Sequence, residues 1–235
     1  MPTLPARRLH AVVISALLAI GVLPSPCGAI SLQDLTSRDA GSGLKAALSQ
    51  GIDKAVGQLG ASDGFLQNPK VAISLPPALE KVERALQMVG MGGEADALRT
   101  AMNRAAESAV SQAAPTFKKA LRSMTLEDAK GIVAGGEDSA TQYFRRSSAD
   151  ELKTKFRPIV SRATTRLKLA NLYNQYAGKA AGVGLLSSED ADINEYVTNK
   201  ALDGLFSVIA DEEKAIRQDP LGQASSLIKK VFGAQ

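Results

Sequence analysis

Apolar residues recur every three or four positions through most of the chain, which is the spacing of one face of an α-helix. This spacing predicts three long helices, over Ser42–Gly60, Glu94–Ser111 and Ile193–Arg217. No stretch alternates apolar and polar residues as a half-buried strand does. The sequence therefore predicts an all-α, single multi-helical domain, an orthogonal or irregular bundle of about eight helices. The apolar face of the first helix is Leu44, Leu48, Ile52, Ala55, Val56 and Leu59, and that of the second is Leu98, Met102, Ala105 and Ala109.

Helix-start signals divide the middle of the chain into shorter elements. Pro115 predicts the first turn of a short helix that carries Phe117, Ala120 and Leu121. Pro158 is expected to kink or break its helix, because proline supplies no N–H. Three capping boxes predict further helix starts, and they are Thr125–Asp128, Ser139–Gln142 and Ser148–Glu151.

Glycine and proline mark the remaining boundaries. Residues 63–77 predict an irregular extended connection, followed by a helix over residues 76–90. The Gly-rich stretch 178–192 predicts a loop before the last long helix. Residues 219–220, Asp-Pro, are expected to end that helix, and a final amphipathic helix is predicted over Leu227–Phe232.

The N-terminal segment has the pattern of a secretory signal peptide. Arg7 and Arg8 precede the apolar run Ala11–Leu23, which is too short to cross a bilayer as a helix. Small residues follow up to Ala29. We therefore predict a signal peptide over residues 1–29, one helical domain over residues 30–235 and a periplasmic location.

A lipoprotein signal is the alternative, with Cys27 as the lipidated first residue. The preceding residues, Pro24-Ser25-Pro26, are a poor lead-in to such a site, so we favour cleavage after Ala29.

Cleavage would remove the one histidine, His10, and the one cysteine, Cys27. A chain without these residues has no disulfide framework, no Cys or His zinc site, no cysteine nucleophile and no Ser-His-Asp arrangement. Part of the formal net charge of +4 also belongs to Arg7 and Arg8, which weakens a nucleic-acid hypothesis. We therefore predict no cofactor, no metal site and no nucleic-acid partner.

The stretch Gly135–Arg146, GGEDSATQYFRR, raises the question of an anion site. Paired glycines before a helix N-terminus would let a phosphate approach the free backbone N–H groups. However, Glu137 and Asp138 already supply negative charge there, and Ser139 is placed to cap. We favour a Schellman-type helix stop followed by a new helix start.

Two polar positions stand out when the helices are projected at 100° per residue. Glu107 lies opposite the apolar face of its helix, which favours a solvated i, i+3 pair with Arg104. Glu212 lies near the middle of the apolar arc of the last long helix. We expect Glu212 to be partly buried and hydrogen-bonded to an arginine, with Arg104 or Arg145 as candidates.

Five stretches, in order from about Leu44 to Gly233, together resemble a bacterial family known only as domain of unknown function 4197. The resemblance implies an exported, mostly helical protein of the Gram-negative cell envelope, and it implies no established reaction or ligand. The stretches are GFLQNPKVAISLP, NRAAESAV, MTLEDAKGIVAGGEDSATQYFRR, YVTNKALDGLF and EEKAIRQDP…LIKKVFG.

The family pattern also implies a set of candidate polar residues. It implies that a second helical layer covers the outward face of the Glu94–Ser111 helix, which would bury Arg104 and Glu107. The candidate binding network is Asn103, Arg104, Glu107, Thr141, Tyr143, Arg145, Asp203 and Glu212.

Two functions remain open at the level of the sequence. The first is a non-enzymatic binding or interaction domain for a partner protein of the envelope or a small apolar ligand held between helices. The second is a carboxylate-dependent enzyme acting on an envelope polymer, with Glu107 or Glu212 as acid. A weak membrane-surface association through Ser225–Gly233 is a further possibility, because Lys229 and Lys230 flank apolar residues.

Overall fold

The computed structural model describes residues 32–75, residue 88 and residues 92–165, 168–184 and 187–218. The predictions for the signal peptide, for Ser225–Gly233 with its final helix, for the stop at residues 219–220 and for most of the helix over residues 76–90 lie outside these ranges. The described residues form seven helices and no strand. They are α1 (Leu32–Gly60), α2 (Gly92–Val110), α3 (Ala114–Ser123), α4 (Leu126–Ala134), α5 (Ser139–Thr164), α6 (Lys168–Gly182) and α7 (Ile193–Gln218).

The all-α prediction is confirmed. Helix α7 packs against α5, α1 and α2, and α5 also packs against α2, α3 and α4. The aromatic centre of this packing is Phe117, whose ring meets Phe144 and Phe206 edge-on at centroid distances of 5.5 and 6.0 Å. The apolar faces predicted for α1 and α2 are buried throughout. No helix in the described ranges is long and apolar enough to cross a membrane.

Helix α5 corrects the helix start predicted at Ser148 and excludes a break at Pro158. Ser148 does not begin a helix, because it is buried in the interior of α5. The helix also continues through Pro158. Pro158 and Thr154, whose carbonyl loses its helical partner, are both exposed, so water can solvate that carbonyl. Phe156 and Val160 on the other face keep the helix docked on the core.

The capping boxes have different outcomes. Thr125 and Asp128 form the predicted reciprocal box at the start of α4. At the start of α5 the N-cap residue is Asp138, and the Ser139 hydroxyl instead donates to the Ile132 carbonyl, at 2.9 Å. The predicted loop over residues 178–192 is also shorter than expected, because α6 continues to Gly182.

The connection between α1 and α2 begins with consecutive turns and then extends from Ala72 to Leu75. Asp63 has a φ of 69°, in the left-handed region that favours glycine. Phe65, Val71 and Ile73 are buried. Among the described residues, it is this connection that covers the outward face of α2.

Candidate functional site

Asn103 and Glu107 lie one turn apart on α2 and hold the connection between α1 and α2. The Asn103 amide accepts from the Ile73 N–H and donates to the Ile73 carbonyl, both at 2.8 Å. Glu107 Oε1 accepts from the N–H groups of Phe65 and Leu66, at 3.1 and 3.2 Å. The predicted solvated face is therefore wrong for Asn103 and Glu107, which are buried.

Arg104 completes this arrangement at the surface. Its guanidinium donates to Glu107 Oε2 at 2.8 Å, which is the predicted i, i+3 pair, and to Asp63 at 2.7 Å. The hydrogen bond to Glu107 raises the pKa of Arg104 above its usual value. The resemblance implied burial under a second helical layer. The structure instead places Glu107 under the turns at residues 61–67 and leaves Arg104 partly exposed.

The N-terminus of α5 binds an anion, and that anion is the side chain of Glu213. The N–H groups of Ala140 and Thr141 donate to its two carboxylate oxygens at 2.9 and 2.8 Å, and the Thr141 hydroxyl adds a third bond at 2.8 Å. Arg217 pairs with Glu213 Oε1 at 2.8 Å. These two N–H groups are therefore satisfied within the chain.

The joint between α4 and α5 has a structural role, as we favoured from the sequence, but it is not a Schellman motif. Gly135 has a φ of −84°, outside the left-handed region that the Schellman motif requires. The charge at the helix N-terminus comes from Glu213 on α7 rather than from Glu137 or Asp138.

Of the two neighbouring glutamates on α7, Glu213 is the more deeply buried and is the one that pairs with an arginine. Glu213 is only 4% exposed, whereas the side chain of Glu212 is 13% exposed and pairs with Lys54 at 2.8 Å. Partial burial of Glu212 is as expected, but its partner is a lysine on α1 and not Arg104 or Arg145. A sequence signal for Glu213 does exist: Phe206, Ile209 and Ile216 precede and follow it at helical spacing, and all three are buried.

The remaining candidate residues lie in two further places. Tyr143 donates its hydroxyl to the Ala120 carbonyl at 2.9 Å, and burial raises the pKa of its phenol. Arg145 and Asp203 face each other at the surface, 3.5 Å apart, and the Arg145 guanidinium lies 4.6 Å from the centre of the Phe206 ring. The predicted residues thus occupy separate places and do not form one network.

Two grooves flank the exposed face of α7, one on each side of Lys200. The first has a volume of about 450 Å³ and lies between residues 70–75 and α7. The second has a volume of about 370 Å³ and lies between α7, the start of α5 and residues 187–190. Tyr196, Lys200 and Asp203 line both grooves. We define these two cavities as the first and second α7 grooves.

Two tyrosines fix the walls of the α7 grooves. The Tyr196 hydroxyl donates to the Ser74 carbonyl at 2.8 Å, and the Tyr173 hydroxyl donates to the Asp190 carbonyl at 2.7 Å. Burial raises the pKa of Tyr196 to about 12 and raises that of Tyr173 further. Both hydroxyls therefore remain protonated donors at neutral pH.

The core contains a far smaller space. A cavity between α1, α5 and α7, beside Ile52 and Phe144, has a volume of about 10 Å³, the size of one water molecule. Within the described ranges, no group of three or more His, Cys, Asp or Glu side chains is placed to hold a metal ion.

Comparison with known proteins identifies the family of the chain. No curated protein and no solved structure matches the chain. The model of the family described as "Protein of unknown function (DUF4197)" matches residues 34–233, which is most of the chain and includes all of the residues that form the α7 grooves. The chain belongs to the DUF4197 family.

Proposed function

We propose that this protein is an exported, non-catalytic binding domain of the cell envelope, and that its partner occupies the α7 grooves. The observation that carries the proposal is the contrast between charged residues whose partners lie within the fold and charged residues that line the α7 grooves. Glu107, Arg104, Glu213 and Arg217 hold helices and connections together. Lys200 lies between two grooves and makes no ion pair with any residue in the described ranges.

The neighbouring charges are also available to a partner. The side chains of Arg145 and Asp203 are 52% and 61% exposed, and their atoms meet only at 3.5 Å. A surface pair of this kind contributes little to stability, so a partner can replace it at small cost. Arg145 lies over Phe206, which keeps the guanidinium at the edge of the second groove.

The surroundings of the carboxylates favour binding over catalysis. Both oxygens of Glu107 accept hydrogen bonds, from two backbone N–H groups and from Arg104. Glu212 is paired with Lys54. A general acid must reach its substrate, and these carboxylates already face partners within the chain.

The same geometry favours a partner with polar groups over a small apolar ligand between helices. The cavity beside Ile52 and Phe144 admits about one water molecule, whereas the α7 grooves are open and lined by charged side chains. We therefore propose a protein partner of the envelope.

Export by a signal peptide over residues 1–29 is part of the proposal. Its basis is the sequence pattern from Arg7 to Ala29. The intact mass of the protein recovered from the producing cell tests it: loss of residues 1–29 supports cleavage, and a lipid adduct on Cys27 contradicts it.

Native mass spectrometry tests binding at the grooves. The chain is recovered gently from the envelope as wild type and as the double variant Arg145→Ala/Lys200→Ala. The matched control is Lys118→Ala/Lys130→Ala, which removes two cations from α3 and α4. We expect a complex for the wild type and the control and a free chain for the groove variant. A complex of equal abundance in all three would overturn the proposal.

A further inference from the structure

We propose that the first α7 groove binds an extended, acidic segment of a protein partner, which pairs with the backbone of Ala72–Leu75 as an added strand. This inference rests on the proposed binding function and specifies the chemistry of the partner.

The backbone of this segment is held in the arrangement of a sheet edge. Val71 and Ile73 are buried while Ala72 and Ser74 are exposed, which is the alternation of a half-buried strand. Both backbone groups of Ile73 face α2, where Asn103 binds them. In an extended chain the neighbouring residues direct their groups to the opposite side, so the Ala72 carbonyl and the groups of Ser74 face away from α2, while the Ala72 N–H is held by the Asn68 carbonyl at 2.8 Å.

The outward side carries unused hydrogen-bonding capacity. The Ser74 carbonyl accepts from the Tyr196 hydroxyl, which places that side of the chain at the groove. The Ser74 N–H has no acceptor, and the Ala72 carbonyl no donor, among the residues that the structure describes. An exposed edge of this kind is a template for an extended peptide, whose main chain supplies the complementary groups.

Charge favours an acidic segment. Two lysines line the groove: Lys70 is paired with Asp211, whereas Lys200 has no carboxylate partner in the described ranges. The remaining groove carboxylate, Asp203, is directed to Arg145. A carboxylate on the partner would therefore meet a cation whose contact among the described residues is the Tyr196 ring, 5.7 Å from Lys200 Nζ.

The edge is also rigid, which lowers the ordering cost of binding. Asn103 fixes Ile73 from α2, Tyr196 fixes Ser74 from α7, and Phe65 and Val71 pack directly on Gly204. Four extended residues span about 13 Å, and the groove volume lies within the range of peptide and ligand sites.

The probe is an acetylated and amidated hexapeptide of alternating valine and glutamate, titrated into the ¹⁵N-labelled chain. We expect saturable shifts of the Ser74 amide and of Lys200. The same peptide N-methylated at every residue has no backbone N–H to donate along either edge and is expected to lose these shifts. Lys200→Glu is expected to weaken binding at least about tenfold, while the matched control Lys130→Glu leaves it unchanged.

Two results would overturn the inference: no saturable shift at Ser74 up to millimolar peptide, or equal binding of the N-methylated peptide. If the native complex depends on Arg145 and Lys200 while the hexapeptide does not bind, the proposed function stands and the strand pairing falls. If the native complex does not depend on Arg145 and Lys200 and the hexapeptide does not bind, the proposed function and the strand pairing are both overturned.

Discussion

Glu213 and Thr141 are joined by two hydrogen bonds, in which the N–H and the hydroxyl of Thr141 both donate to Glu213 Oε2 at 2.8 Å. The contact places a carboxylate from the end of α7 on the N-terminus of α5, where the helix dipole favours negative charge. The glycine-rich joint before α5 therefore serves an internal anion. This explains why its sequence has the residues of an anion site without being open to an external one.

Glu213→Gln is expected to lower the free energy of unfolding by about 3 kcal/mol, because it removes a charge from a helix N-terminus and the buried ion pair between Glu213 and Arg217. Urea unfolding followed by circular dichroism measures the change.

Glu212→Gln is the matched control, one residue away on the same helix. Its partner Lys54 is 65% exposed, so the expected loss is below about 1 kcal/mol. A larger loss for Glu212→Gln than for Glu213→Gln would restore the assignment that helical projection favoured.

Asn103→Leu is expected to cost about 2 kcal/mol, because it leaves the N–H and the carbonyl of Ile73 without their partner in a buried position. Amide hydrogen exchange at Ile73 should accelerate. Asn199→Leu, at a partly exposed site on α7, is expected to change stability by less than about 0.5 kcal/mol. Slow exchange at Ile73 in the Asn103 variant would show that other contacts hold the segment.

Gly204→Ala tests the contact between α7 and the connection after α1. A Cβ at Gly204 would lie 2.8 Å from Phe65 Cε1, so Phe65 must move and the expected cost is about 1–3 kcal/mol. Gly57→Ala in α1 adds the same methyl group with nothing within 4 Å, and is expected to stabilise by about 0.5–1 kcal/mol. Thermal melts of both variants that shift in the same direction would contradict this packing.

Alkaline pH is expected to destabilise the chain through Tyr196. Its folded pKa is raised to about 12 from 10.0 by burial, so the unfolded state ionises first as pH rises. The stabilising contribution is complete below pH 10 and is lost as pH approaches 12. Unfolding free energies measured over this range should fall less steeply for Tyr196→Phe. An equal slope in both chains, or tyrosinate absorbance from Tyr196 near pH 10, would contradict the buried contact with Ser74.

The sequence predicts the helices better than the polar contacts, and the reason is physical. The apolar faces of α1 and α2 follow from periodicity, which depends only on neighbours along the helix. The burial of Asn103 depends on Ile73, thirty residues away, and on a connection without helical pattern. The burial of Glu213 was not predicted, because a helical projection shows only one broad apolar arc on α7. It does not show which part of that arc faces α5.

The predicted helix boundaries are wrong where contacts with distant parts of the chain outweigh a local helix-start or helix-break pattern. Ser139 matches a capping box, yet its hydroxyl donates to Ile132 and accepts from Arg217. Pro158 lacks an N–H, yet the packing of Phe156 and Val160 keeps α5 continuous. Asp203 was a candidate from the sequence, but the grooves beside it and Lys200 became visible only when residues 70–75 and 187–190 were placed on either side of α7.

Photo-crosslinking from the groove itself tests the central claim most directly. A benzophenone amino acid replaces Ser207 in the first groove or, as the control, exposed Glu127 on α4, in cells that produce the full chain. We predict one discrete protein adduct from position 207 that Arg145→Ala/Lys200→Ala abolishes, and none from position 127. An adduct from both positions, or one from position 207 that survives the double substitution, would contradict binding at the α7 grooves.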